Sequence, residues 1–432
     1  MASAQADQSQ NKRQDTMEQR TLSMNGVGMG YLVLAVIAAL LGGGSSALQS
    51  AGLVPASGFW MALEQNHASL MLLFVVIPAF IGGFGTLWLP TALGRAGMVL
   101  PRLNAVALGC LAVAGGLMVG APAHQYAALL LWCAGTLLAA MTLLATLFDS
   151  RADGATRVTF SPFIWGEMLA SAVLLLTVPV LGALATHQQS AGLPFSTALV
   201  EFFAKPVTLV TLLVGFGIVF ETVSGTVRFP MRWVVGLMTG AATICTVLWV
   251  KAAFAQGSGS DIAGLSPLAV ESWVLGATTL ASVLLALVWM VGTWRTYLSA
   301  RVPVLWGLGF LLVVSTGWVS QFTQGGGLHS ALQFGMLYAV FCGVYFWRGE
   351  LCGRWYSTKL ATVQFGMMCV ATVLALPSLA ASTQVVSSTL FTLSGLCFLL
   401  TMGLSFFKDE PMPQKQGGAR ARLQNNAGMV RS

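Results

Sequence analysis

The sequence predicts an all-α membrane protein built as a bundle of twelve transmembrane helices, and three observations predict it. Apolar residues make up 56% of the 432 and charged residues only 8%, with a mean hydropathy of +0.78, outside the range of soluble globular chains. Apolar runs of about 20 residues, enough for a helix to cross a hydrocarbon core of about 30 Å, recur along the chain. These runs are continuous rather than alternating, which argues against a β-barrel. Finally, the lysines and arginines sort to one side of the predicted spans.

Residues 1–26 are polar, of mixed charge, and read as a disordered cytoplasmic tail. They do not read as a cleavable signal, because the apolar run that follows, 27–48, is itself long enough to span. The second run, 66–93, opens on His67 and carries the glycine-rich stretch Ile81-Gly82-Gly83-Phe84-Gly85. Next come 101–120 and 125–148, then 161–185 and 203–226, then 233–254 and 270–294. The last four are 302–321, 328–347 with His329 near its start, 360–381 and 387–407, before a basic tail at 408–432.

With twelve spans, the tails and the loops after even-numbered spans hold Lys12, Arg13, Arg20, Arg95, Arg102, Arg151, Arg157, Arg228, Arg232, Arg295, Arg301, Arg348, Arg354, Lys359, Lys408, Lys415, Arg420, Arg422 and Arg431. The loops after odd-numbered spans hold none, so the positive-inside rule puts both termini in the cytoplasm. An error of one span would scramble the sorting. The same sorting accounts for the net charge of +7 without nucleic acid, since the basic residues form no patch among aromatics. The seven cysteines show no CxxC pair, lie mostly in apolar runs, and read as helix-packing residues.

Two basic residues stand apart: Lys205 near the start of span six and Lys251 near the end of span seven, both at the outer ends of their helices. Such residues face a bundle interior, a cavity or a partner, or else they snorkel to the headgroups. Of the four histidines, His124 and His187 fall in or beside outer loops. His67 and His329 both begin inward-running helices and stand at a similar level. If those helices are neighbours, two neutral imidazoles could take both axial positions of a low-spin haem; the alternative is a pair of interfacial histidines that only hydrogen-bond.

A longer pattern surrounds His67. His67-Ala68, Met71, Pro78, Ile81-Gly82-Gly83-Phe84-Gly85, Pro90 and Pro101-Arg102-Leu103-Asn104 resemble the second helix and following loop of subunit I of the haem–copper oxidases, H-A-x-x-M…P…IGGFG…P…PRMNN. Pro162-Phe163-Ile164-Trp165 through Pro179-Val180-Leu181 is similar to that family's fifth helix, and Phe202-Phe203 through Gly215-Phe216-Gly217 to its sixth. Clear resemblance covers about a third of the chain.

The catalytic motifs of the family are missing. Its H-P-E-V-Y reads Lys205-Pro206-Val207-Thr208-Leu209 here, so a copper histidine, a proton-gating glutamate and a crosslinked tyrosine are replaced by Lys205, Val207 and Leu209. Its W-x-H-H-x-F reads Trp249-Val250-Lys251-Ala252-Ala253-Phe254, and its H-F-H reads Gly327-Leu328-His329. The low-spin ligands His67 and His329 remain, whereas the copper and high-spin haem ligands do not. The acidic proton entrance corresponds to Gly97 and the membrane lysine of helix eight to Gly292. The two lysines would then project toward the vacated binuclear site. Glu167 and Glu221, near the inner ends of spans five and six, are expected to pair with cytoplasmic arginines rather than to cap vestigial proton paths.

The resemblance therefore implies a twelve-helix haem-binding domain at 27–407, in a bacterial inner membrane. It implies one low-spin haem held by His67 and His329, b-type rather than a-type because span one lacks the arginine placed near a formyl group, and no copper. The implied function is electron transfer within a respiratory complex, without oxygen reduction or proton pumping of the chain's own. Its partners would be lipid, other subunits, and a periplasmic cytochrome c or copper-bearing protein. The alternatives are a haem-free structural or assembly subunit, an oxidase with altered ligands, and a transporter. For the last of these no inverted repeat or broken-helix pair stands out.

Overall fold

The computed structural model describes residues 26–55, 57–95, 97–152, 160–195, 197–258, 267–296, 298, 301–324, 328–352, 355–375 and 381–407, and every regular element among them is helical. The expected tails, Gly26 apart, lie outside the described residues. Twelve helices follow the expected spans: α1 Gly26–Gln49, α2 His67–Ala92, α3 Pro101–Gly120, α4 Gln125–Ala152, α5 Pro162–Ser190, α6 Thr197–Val223, α7 Met231–Ser258, α8 Pro267–Thr293, α9 Val302–Gln324, α10 Leu328–Cys352, α11 Thr358–Leu374 and α12 Ala381–Phe407. Nine are long and apolar enough to cross a membrane; α9, α10 and α11 contribute the shorter apolar segments Val302–Gly317, Phe334–Arg348 and Thr358–Leu374. A further short helix, Gly58–Gln65, precedes α2. At eight residues it is invisible to a search for spans.

Consecutive helices pack as antiparallel pairs, most extensively α3 with α4, α5 with α6, α9 with α10, and α11 with α12, and α12 returns to α1. Two helices sit inside this ring. α2 touches α1, α3, α4, α5, α6 and α10, and α6 touches α2, α5, α7, α8, α9 and α10. Accordingly 94% of the most apolar window of α2 and 89% of that of α6 are buried, against 33% for α3 and 17% for α12.

Lipid is as apolar as leucine, so helices associate in it by close approach rather than by the hydrophobic effect. The glycines of α2 provide that approach. A Cβ on Gly82 would lie 2.1 Å from Tyr31 Cδ1, one on Gly83 would lie 2.5 Å from Leu32 Cδ2, and one on Gly85 would lie 2.7 Å from Leu143 Cδ2. At the α5–α6 seam the neighbour is backbone, since a Cβ on Gly166 would stand 2.6 Å from the Leu213 carbonyl oxygen.

Polar contacts fix the same region. The Tyr31 hydroxyl donates to the carbonyl (3.0 Å) or the side-chain oxygen (3.1 Å) of Asn104, and Asn104 Nδ2 donates to Thr86 Oγ1 at 2.8 Å. Asn104 thus ties α3 to α1 and α2, which explains its place at the start of α3. Asn104→Leu removes the amide and leaves the buried Thr86 hydroxyl without its donor, while Tyr31 keeps the backbone carbonyl of residue 104; the cost is about 1–3 kcal/mol. The expected result is a lower midpoint of thermal unfolding in detergent.

Candidate functional site

His67 opens α2 half-buried, and its Nδ1 lies 2.9 Å from the carbonyl oxygen of Gly42 on α1. A carbonyl only accepts, so Nδ1 carries the proton, and in the neutral imidazole Nε2 keeps its lone pair. A ring nitrogen anchored in this way fixes the tautomer and orientation of a histidine that ligates a metal through its other nitrogen.

The local sequence produces this contact. Leu40–Gly44, in α1, is wound as π-helix, as are Leu70–Val76 and Pro78–Phe84 in α2; such segments favour functional sites. Pro78 has no N–H to give to the ladder of α2. A Cβ on Gly42 would meet Leu70 Cβ at 3.2 Å, so glycine lets α1 come close enough for its carbonyl to reach the ring.

The imidazole lines a cavity of about 400 Å³, within the ~300–1,000 Å³ typical of small-molecule and cofactor sites. Its floor on α2 is Met71, Val75 and Val76; α10 supplies Phe334, Met336, Leu337, Val340 and Phe341. A third wall comes from α12, where Gln384, Ser388 and Thr392 line it beside Phe391. None of the described lining residues is charged.

Sequence reasoning missed the α12 wall. Gln384, Ser388 and Thr392 recur every fourth residue in an otherwise apolar span, which places them on one helix face, and that spacing was the signal available.

His329 lies in the first turn of α10, and its side chain lies outside the described residues. Met336 and Val340, seven and eleven residues further on, line the cavity. Position 329 falls within about 20° of each around a regular helix. His124 and His187 are exposed, away from this cavity.

The other expected site residues fall around α6 and α7. Val207 and Leu209 are buried in the apolar core, and Lys205 is half-buried with Nζ 5.7 Å from the centroid of the Phe202 ring. Phe202 stacks on Trp249, whose indole donates to the Phe202 carbonyl at 3.0 Å. The expectation that Lys251 projects toward a vacated binuclear site is corrected, because Lys251 is exposed and the next residue, Ala252, is buried. About 100° of helix rotation separates the two positions. Lys251 has the placement of a snorkelling residue. Gly327 lies outside the described residues, and Gly97 and Gly292 stand where the sequence puts them, without a titratable side chain.

Glu167 gives a second correction. It was expected to pair with an arginine, yet it is fully buried in α5 and neither carboxylate oxygen has a hydrogen-bond partner among the described residues. The ion pair at that end of the bundle is Arg95 with Asp149, at 2.5 Å. Glu221 is half-buried in α6. Among the described residues no three His, Cys, Asp or Glu side chains form a metal-binding group, and the described cysteines are free.

Fold and site together define a multi-pass, all-helical membrane protein with an oriented imidazole in an apolar cavity between α1, α2, α10 and α12. The sequence matches no family model. It is 25% identical over 381 residues to cytochrome c oxidase subunit 1 of Cereibacter sphaeroides, a match covering 73% of this chain and 66%, just under two thirds, of that protein. The chain is a membrane protein similar to cytochrome c oxidase subunit 1 over most of its own length.

Proposed function

We propose that this protein is a membrane cytochrome that carries one low-spin haem between His67 and His329 and passes electrons within a respiratory complex, without reducing oxygen or pumping protons itself. The observation that carries the reading is the Nδ1 contact of His67 with Gly42, which presents Nε2 as a ligand inside an apolar cavity walled by the helix that bears His329. The residues fit the group: apolar side chains from α2 and α10 suit a macrocycle, and Gln384, Ser388 and Thr392 on α12 would suit its acidic groups. When bound, haem supplies one-electron chemistry, and two protein ligands leave no open iron position for a substrate. The protein's own part would be to orient the imidazole through Gly42, to exclude water with Met71, Val75 and Phe341, and to offer Gln384, Ser388 and Thr392 as neutral polar partners.

In this reading the old copper chamber is given over to packing by Val207 and Leu209, with Ala252 and Gly327 in place of ligands. No copper is bound, and b-type haem is favoured. The termini are cytoplasmic in a bacterial inner membrane, and the haem lies toward the periplasmic side. There a cytochrome c or a copper-bearing subunit exchanges electrons with it, and other membrane subunits complete the complex.

Pyridine haemochrome and metal analysis of the purified complex test this. The expected result is one b-type haem per chain, no copper in this chain, a sharp low-spin α band on reduction, and no carbon monoxide binding. Intact protein without haem would make it a structural subunit. Carbon monoxide binding together with oxygen uptake would make it an oxidase.

A further inference from the structure

Glu167 sits where an acid is hardest to keep. Its side chain is fully buried in α5, with both oxygens unpartnered among the described residues. An ionised carboxylate there, with no cation or donor in contact among the described residues, would carry an uncompensated desolvation cost. The neutral acid needs only ordinary hydrogen-bond partners, one for its O–H and one for its C=O.

The surroundings supply polar atoms for such partners. The carboxyl faces the backbone of α2 at Gly85, where a Cβ would come within 3.4 Å of Oε2 and within 2.8 Å of the Leu143 methyls. Gly85 is thus the residue that lets the acid and Leu143 both approach α2. One turn along α5, Ser171 is fully buried and its hydroxyl has no partner. Thr136 on α4 is fully buried and unpartnered as well. It lies on the same helix face as Leu143, seven residues earlier and about 10 Å further along the axis. Since α4 packs on α5, the acid and the two hydroxyls follow one seam. Three orphaned groups on one seam in a dry bundle match the pattern that buried water satisfies, with each water making about three hydrogen bonds.

We propose that Glu167, Ser171 and Thr136 form an internal water-binding site between α2, α4 and α5, in which Glu167 is held as the neutral acid and shares its proton with the bound water. Gly85 lets the acid come up to the backbone of α2, and Ser171 is the hydroxyl nearest the acid along α5. The site is separate from the His67 cavity and does not depend on haem.

Infrared spectroscopy of the whole complex in H2O and D2O tests the proposal, whether or not haem is bound. The expected result is a protonated-carboxyl C=O band that shifts in D2O, disappears in Glu167→Gln, and moves in frequency in Ser171→Ala, where a hydrogen bond is lost. Thr136→Val should shift it less, because Thr136 lies further along the seam. The proposal is overturned if Glu167→Gln leaves the carboxyl region unchanged, which would mean that the residue is ionised. It is also overturned if the band is present but indifferent to both D2O and Ser171→Ala, which would mean a dry acid.

Discussion

Replacing His67 with alanine is expected to remove the sharp low-spin α band and most of the bound haem, the largest functional effect expected of a change at a described side chain. The imidazole is the described side chain in the cavity with an orienting bond and a free nitrogen lone pair. Loss of groups that merely orient a metal ligand typically costs ~10–100-fold in affinity, and loss of the ligand itself should exceed that. Haem retained in His67→Ala would be five-coordinate and would bind carbon monoxide, so the absorption spectrum with and without carbon monoxide checks the prediction. A milder version comes from Gly42→Val, which wedges α1 away at Leu70 and loosens the carbonyl that orients the ring. Haem should then be present but bound more weakly. If His67→Ala binds haem with an unchanged α band, the proposed site is wrong.

Gly82→Val is expected to have the largest effect on folding. Even the first added atom would stand 2.1 Å from Tyr31 Cδ1 and 2.3 Å from Cγ. The ring cannot swing aside freely, because its hydroxyl is tied to Asn104. Overpacking a tight core typically costs 1–3 kcal/mol, and more when the neighbour cannot move; about 3 kcal/mol or more is expected here, read as a large drop in thermal midpoint or in yield of monodisperse protein. Gly116→Ala and Gly240→Ala are the controls. Nothing lies within 4 Å of a Cβ at either position, so both should be near neutral or slightly stabilising.

The legibility of the site varied with the kind of signal each residue carries. His67 was legible because its type, its place at the head of an apolar run and the motif around it agree, and the cavity lies beside it. Gly82, Gly83 and Gly85 were legible as a motif, but their purpose was not, since the atoms they admit belong to α1 and α4. Gly42 carries no motif and acts through its carbonyl, which no side-chain pattern reports. Glu167 was misread because an acid near arginines in sequence need not lie near them in space. The stripe Gln384, Ser388 and Thr392 was visible as a spacing but pointed to no ligand until α12 was brought to the cavity.

The sequence by itself determined the order of the twelve apolar spans and the place of each to within several residues, and it sorted the arginines to alternate loops, because these follow from the cost of moving each residue from water into lipid. Tertiary structure alone decided that α2 and α6 are interior, that Lys251 faces out while Ala252 faces in, and that Glu167 has no partner among the described residues. The physical reason is that lipid and a neighbouring helix are almost equally apolar solvents. Hydropathy therefore marks what enters the membrane and is silent on which face meets protein; that is settled by the fit of glycines, rings and buried polar atoms between helices.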